Sequence, residues 1–209
     1  MKHRISGLRE RNKLDKLRRI KHAATNLFIL KGYDETTVRE VAARAGVGLG
    51  TVFLYAATKR DLLFLTVNED LEAVVNEAAA TKRVDRPMLE SLVRLFRGYY
   101  EYFAGEPRLS RLSLREMTFY ASGPEAERFL RMRERVIALI EEIVRAAIGR
   151  KEISPKESAS LVAWVIFAIY QVEVRRWLSS DKLSITGGLA SLRKQLELLI
   201  TGLSPRPPR

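Results

Sequence analysis

Apolar residues recur along this chain at intervals of three and four, the spacing that lines one face of an α-helix. Leu17, Ile20, Ala24, Leu27 and Phe28 predict a first helix over Lys13–Lys31, with Gly32 as its terminating glycine. Val38, Val41 and Ala42 mark a second. Thr37 stands three residues before Glu40, the spacing of a capping box. Arg44-Ala45-Gly46-Val47 stops that helix: Gly46 can adopt the left-handed conformation of a tight turn, and Val47 can plug the space between helices. A short helix follows from about Gly48 to Tyr55, with Val52 inward. A long one runs from Asp61 to about Lys82 on a stripe of Leu62, Leu65, Val74, Val75 and Ala78. Thr81–Pro87 reads as a boundary loop. Five more helices are predicted beyond it: Met88–Ala104, Leu109–Ala121, Glu125–Ile148, one capped by Ser154 and running to about Leu178, and Ile185–Thr201. The fold class is all-α.

The segment Gly32–Leu63 has the layout of a helix-turn-helix, whose second helix enters the DNA major groove. Its order GY…TTV…VA…AGV…GT…Y…K…DLL resembles the DNA-binding domain of TetR-family transcriptional repressors. The resemblance covers roughly Arg18 to Leu65, in register across three helices. It implies a three-helix DNA-binding domain over residues 1–60, preceded by a basic arm, and a larger helical ligand-binding and dimerisation domain over residues 61–209. It also implies DNA contacts: Leu49, Thr51 and Phe53 facing the bases, Tyr55 and Lys59 near phosphate, and Thr36 and Thr37 at the start of the preceding helix. Tyr33 matches a family aromatic that packs the small core. Three residues depart from the family. Phe53 stands for a usual tyrosine and loses a hydroxyl. Leu49 is apolar where many relatives are polar. Ala56 replaces a usual phenylalanine and leaves space for Phe64 or Leu54. Phe53 also has a plain reading as a core aromatic.

Charge sharpens this picture. Residues 1–60 hold 14 Lys and Arg against 5 Asp and Glu, a net of +9, whereas the rest of the chain holds 23 against 20. Positive charge gathered beside a helix-turn-helix is an electrostatic footprint for phosphate. Met1–Lys13 reads as a flexible arm that either reaches a minor groove or only solubilises the terminus. The tail from about Ser204 is proline-rich and reads as disordered.

The helices beyond Met88 hold Phe96, Tyr99, Tyr100, Tyr102, Phe103, Met117, Phe119 and Tyr120, followed by Trp164, Phe167, Tyr170 and Trp177. Aromatic residues with a few polar tips build small-molecule pockets, and they also build ordinary cores. The candidate pocket is Tyr99, Phe103, Met117, Tyr120, Trp164, Phe167 and Gln171. Trp164, Phe167, Ala168, Gln171 and Val172 share helical spacing, as do Leu189, Leu192, Leu196, Leu199 and Leu203. With the family resemblance, residues 154–178 and 185–201 are expected to join two copies in a four-helix bundle.

Enzyme signals fail on spacing. Gly46-Val47-Gly48-Leu49-Gly50 lacks the third glycine of a dinucleotide loop and has no strand before it. Ser179-Ser180-Asp181-Lys182 matches SxxK without its companion motifs. There is no cysteine, and both histidines, His3 and His22, lie among Lys and Arg, so no metal site or cofactor is expected. No apolar run approaches the roughly 20 residues of a membrane span, and the expected location is the cytoplasm. The sequence therefore predicts a homodimeric regulator, a repressor released from a palindromic operator by a small apolar or amphipathic ligand. The alternatives are a constitutive dimeric DNA-binding protein, and a helical ligand carrier or enzyme.

Overall fold

A computed structural model describes residues 2–203, which form nine helices and no strand. They are α1 (Lys2–Leu30), α2 (Val38–Ala45), α3 (Leu49–Phe53), α4 (Lys59–Thr81), α5 (Met88–Gly105), α6 (Pro107–Glu116), α7 (Pro124–Gly149), α8 (Ala159–Leu178) and α9 (Ile185–Leu203). The expected flexible arm is instead the first turns of α1, which begins at Lys2. The stretch has no proline and is rich in Arg and Lys, both good helix formers. The tail expected from about Ser204 lies outside the described residues.

The chain divides into two compact units, and the boundary differs from the expected one at residue 60. The first unit comprises the chain through Glu69 together with Leu112–Leu130; the second is Asp70–Arg111 and Arg131–Arg209. The first unit thus takes in the first turns of α4 and the turn between α6 and α7. Tyr120 explains why. Its ring stacks on Phe64 at 4.4 Å, and its hydroxyl donates to the buried Asp61 carboxylate at 2.5 Å. Asn68 donates to the Glu125 carbonyl at 3.0 Å, and Arg60 pairs with Glu116 at 3.2 Å.

Asp61 also caps its own helix. The Thr58 amide donates to the Asp61 carboxylate at 2.9 Å, and the Asp61 amide donates to the Thr58 hydroxyl at 3.0 Å. This is a capping box with aspartate as its acid, so α4 starts at Lys59. Ala56 and Phe64 are both buried, while Leu54 is 84% exposed and fills nothing.

In the second unit α5 packs on α8 and α9. Phe96 stacks on Tyr170 at 4.3 Å, and Tyr99, Tyr100 and Phe167 surround the same ring. Gly188 lets α9 approach: a Cβ there would lie 2.6 Å from Tyr100 and 2.7 Å from Trp177. Glu173 is buried. It accepts two bonds from Arg176, at 2.8 and 2.6 Å, and one from Gln195 at 2.6 Å. The cap of α8 is Ser158, whose hydroxyl accepts from the Leu161 amide, rather than Ser154, whose amide donates to the Leu203 carbonyl. Along α8, Leu161, Trp164, Val165 and Val172 form an exposed apolar stripe, with Val172 68% exposed.

Candidate DNA-binding site

Thr37 opens α2 in extended conformation. Its hydroxyl accepts from the Glu40 amide, while the Glu40 carboxylate accepts from the Thr37 amide at 2.8 Å. Lys31 also reaches that carboxylate and, with Thr37, lowers its pKa to about 2. Gly46 ends α2 at φ 63°, left-handed as the turn requires. Arg19 of α1 staples the turn, donating to the Ala45 carbonyl at 2.9 Å and the Gly46 carbonyl at 3.3 Å. Half-buried Val47 and fully buried Val52 then fix α3 against α2. Arg18, Arg19, His22 and Arg44 line a cleft of about 590 Å³ between α1 and α2, adding to the basic face.

The DNA-contact residues expected from sequence fall into two groups. Leu49 and Thr51 are half-buried, and Phe53 is 48% exposed, so it is not a core aromatic. Leu54, expected to fill the space beside Ala56, is instead exposed next to Phe53. A hydroxyl and apolar side chains on an outward helix suit hydrogen bonding to a base edge or phosphate and contact with a thymine methyl. Gly50 adds no bulk: nothing lies within 4 Å of where its Cβ would sit.

The other four are engaged in the fold. Thr36 is buried, and its hydroxyl donates to the Gly32 carbonyl at 2.6 Å and the Leu27 carbonyl at 3.3 Å. It turns inward because the chain leaving α1 needs a donor there. The Thr37 hydroxyl is committed to the capping box. Tyr55 donates to the Lys13 carbonyl at 3.1 Å, holding the end of α3 to α1. Lys59 donates to the carbonyls of Tyr33 at 2.8 Å and Asp34 at 3.1 Å, and lies 4.5 Å over the Tyr33 ring. An ammonium has three donors, so one remains for a phosphate. Tyr33 is the hub of this corner. It packs on Phe28 at 5.3 Å, and burial, reinforced by Glu116, pushes its hydroxyl up to about 12.

The seven candidate pocket residues do not form one group. Met117 and Tyr120 belong to the first unit, where Tyr120 serves Asp61 and Phe64. Tyr99, Phe103 and Phe167 are buried in the second unit. Trp164 is 47% exposed on the α8 stripe, and the Gln171 amide oxygen accepts from Arg175 at 2.6 Å. Helical spacing shows that residues share a face, but not which neighbour covers it. Tyr100 and Tyr170 belong with Tyr99 instead. Burial raises all three hydroxyls well above the ordinary tyrosine range, and those of Tyr99 and Tyr100 have no hydrogen-bond partner. Among the described residues no cluster of His, Cys, Asp or Glu could hold a metal ion, and no helix is long and apolar enough to cross a membrane.

Comparison with known proteins agrees with this geometry. Residues 20–65 match the family model described as bacterial regulatory proteins, tetR family. The fatty acid metabolism regulator protein of Bacillus subtilis is 23% identical over 203 residues, covering 92% of this chain and 98% of that protein. The solved structure of Thermus thermophilus FadR, a TetR-family repressor in complex with lauroyl-CoA, has a TM-score of 0.65 at 26% identity, covering 92% of this chain and 97% of that one. Bacillus subtilis FadR in complex with stearoyl-CoA has a TM-score of 0.69 at 22% identity, covering 88% and 97%. A helix-turn-helix with an outward α3, joined to a second helical unit, defines a DNA-binding regulator rather than an enzyme. Residues 20–65 carry the DNA-binding domain of the tetR family, and the chain as a whole is similar to transcriptional regulators of that family.

Proposed function

We propose that the protein is a homodimeric repressor that holds a palindromic operator with two copies of α3 and releases it when a long-chain acyl-coenzyme A binds the second unit. The observation that carries this reading is α3 itself, with half-buried Thr51 and exposed Phe53, and exposed Leu54 just after it, beside a stapled turn. The ligand class is drawn from the lauroyl-CoA and stearoyl-CoA complexes of the Thermus and Bacillus proteins. The unpartnered hydroxyls of Tyr99 and Tyr100 support a polar guest in the second unit, because a buried hydroxyl without a bond is costly. Two copies would join through α8 and α9, burying the exposed α8 stripe. Their recognition helices would then meet successive major-groove turns about 34–36 Å apart. The location consistent with this role is the cytoplasm.

The constitutive reading has one observation in its favour: four rings pack tightly around Tyr170, leaving that core well filled. One titration separates the two. Fluorescence anisotropy would follow a duplex selected from a random pool, with and without lauroyl-CoA or stearoyl-CoA. The expected outcome is a loss of affinity of about 5- to 150-fold, with DNA weakening ligand binding by the same factor. Thr51→Ala should weaken the selected duplex more than random DNA. Equal affinity with and without ligand would leave the constitutive binder; equal affinity for selected and random DNA would remove the operator-reading role of α3.

A further inference from the structure

The residues after position 60 are nearly balanced in charge, 23 Lys and Arg against 20 Asp and Glu, yet five arginines of the second unit converge on one cleft. Arg83 and Arg86 come from the connection before α5, Arg94 and Arg97 from α5, and Arg193 from α9; they line about 320 Å³ with Glu90 as the single carboxylate. Guanidinium groups stay charged at any physiological pH, so a cluster of them favours anions beside it. The protein supplies few. Asp85 takes Arg83 in a two-point contact, at 2.9 and 2.7 Å. The pairs Arg97–Glu101 and Arg193–Glu197 are long, 3.9 and 3.7 Å, and leave most of their donors unused. Arg94 gives one bond to the Thr81 carbonyl at 3.3 Å.

The cleft is also held in place. The Ser91 hydroxyl donates to the carbonyls of Arg83 at 2.5 Å and Pro87 at 3.1 Å, and Arg150 donates to the Arg86 carbonyl at 2.9 Å. The start of α5 is already occupied, since the Met88 amide donates to the Glu152 carboxylate at 2.7 Å, so the arginines alone supply the field of the cleft. We propose that this cleft binds the diphosphate of a phosphorylated ligand, because planar guanidinium forks match phosphate oxygens two at a time. Coenzyme A esters and free nucleotides share that group. A second groove, about 480 Å³, shares Arg94 and Arg97 with the cleft and is lined by Val74, Ala78 and Leu95, with the carboxylates of Glu77 and Glu101 also on its wall. An apolar surface next to a cationic one favours the ester, a choice that rests on the acyl-coenzyme A reading above.

The test is calorimetry on the full chain with pyrophosphate, coenzyme A, ATP and lauroyl-CoA, for the wild type and for Arg86→Gln, Arg97→Gln and Arg97→Lys. Arg86 and Arg97 are exposed, so the fold should survive, as an unchanged melting temperature and unchanged DNA binding would verify. Each glutamine variant should bind pyrophosphate and coenzyme A about 10-fold more weakly, the loss expected for one charge-assisted hydrogen bond. Arg97→Lys should recover part of that loss. ATP binding as tightly as coenzyme A would support the cleft and assign it to free nucleotides. No binding of pyrophosphate or coenzyme A by the wild type, or equal binding by the variants, would overturn the proposal. If lauroyl-CoA releases DNA equally from wild type and variants, the cleft fails and the effector reading stands. If coenzyme A binding is lost in the variants but lauroyl-CoA never releases DNA, the cleft stands and the effector reading fails.

Discussion

Single residues decide how the turn of the helix-turn-helix is held, and Glu40 is the most exposed to solution conditions. Lys31 first, then Thr37, stabilise its charged form and depress its pKa from an ordinary glutamate value to about 2. A depressed pKa means the folded state prefers the carboxylate. The stability it contributes is therefore full above the unfolded value and is lost as pH falls through about 2. Glu40→Gln should lower the melting temperature at neutral pH, with the gap to wild type closing between about pH 4.5 and about 2. A gap that stayed constant across that range, followed by circular dichroism, would assign Glu40 no role through its charge. Thr36 carries a different lesson. Its place in a family motif suggested DNA, but its hydroxyl is consumed by the Leu27 and Gly32 carbonyls. Motif position reports that a residue is needed there; only the direction of its side chain reports for what.

At the scale of elements, most of the architecture was legible from periodicity and caps. The Thr37–Glu40 box, the stop at Gly46 and the inward Val52 follow from local rules, and the structure bears them out. The errors arose where two local signals competed or where the deciding partner is distant in sequence. Ser154-Pro155-x-Glu157 is a good helix start, but the Ser154 amide is taken by Leu203, and Ser158 caps instead. The basic start of α1 resembled an arm because charge density masks helix propensity. Gly188, in the first turn of α9, carried no sequence signal, since a glycine inside a helix ordinarily weakens it. Its reason is the closeness of Tyr100 and Trp177. Gly188→Ala should destabilise the second unit by about 1–3 kcal/mol through overpacking, measured by urea unfolding. Unchanged stability would show that α9 can shift to accommodate a methyl group.

On the scale of the whole molecule, the exposed stripe Leu161, Trp164, Val165 and Val172 is the feature that a lone chain does not explain. Trp164 was assigned from sequence both to a pocket and to an interface, because both uses ask for an aromatic residue at helical spacing. Its exposure fits the interface. Sedimentation should find a dimer at micromolar concentration for the wild type and a monomer for Trp164→Glu, which places a charge where a partner helix would pack. A wild-type monomer would count against two-copy recognition of an operator.

The bond from Tyr120 to Asp61 has a consequence for modular engineering. Regulators of this kind invite chimeras in which one reading head is exchanged for another by cutting at the end of the third helix. Here that cut would strand Phe64 and a buried carboxylate without the segment Leu112–Leu130 that covers them. A transplantable head from this protein is a discontinuous one, so a graft must carry both pieces of chain or rebuild the second as a linker-joined insert.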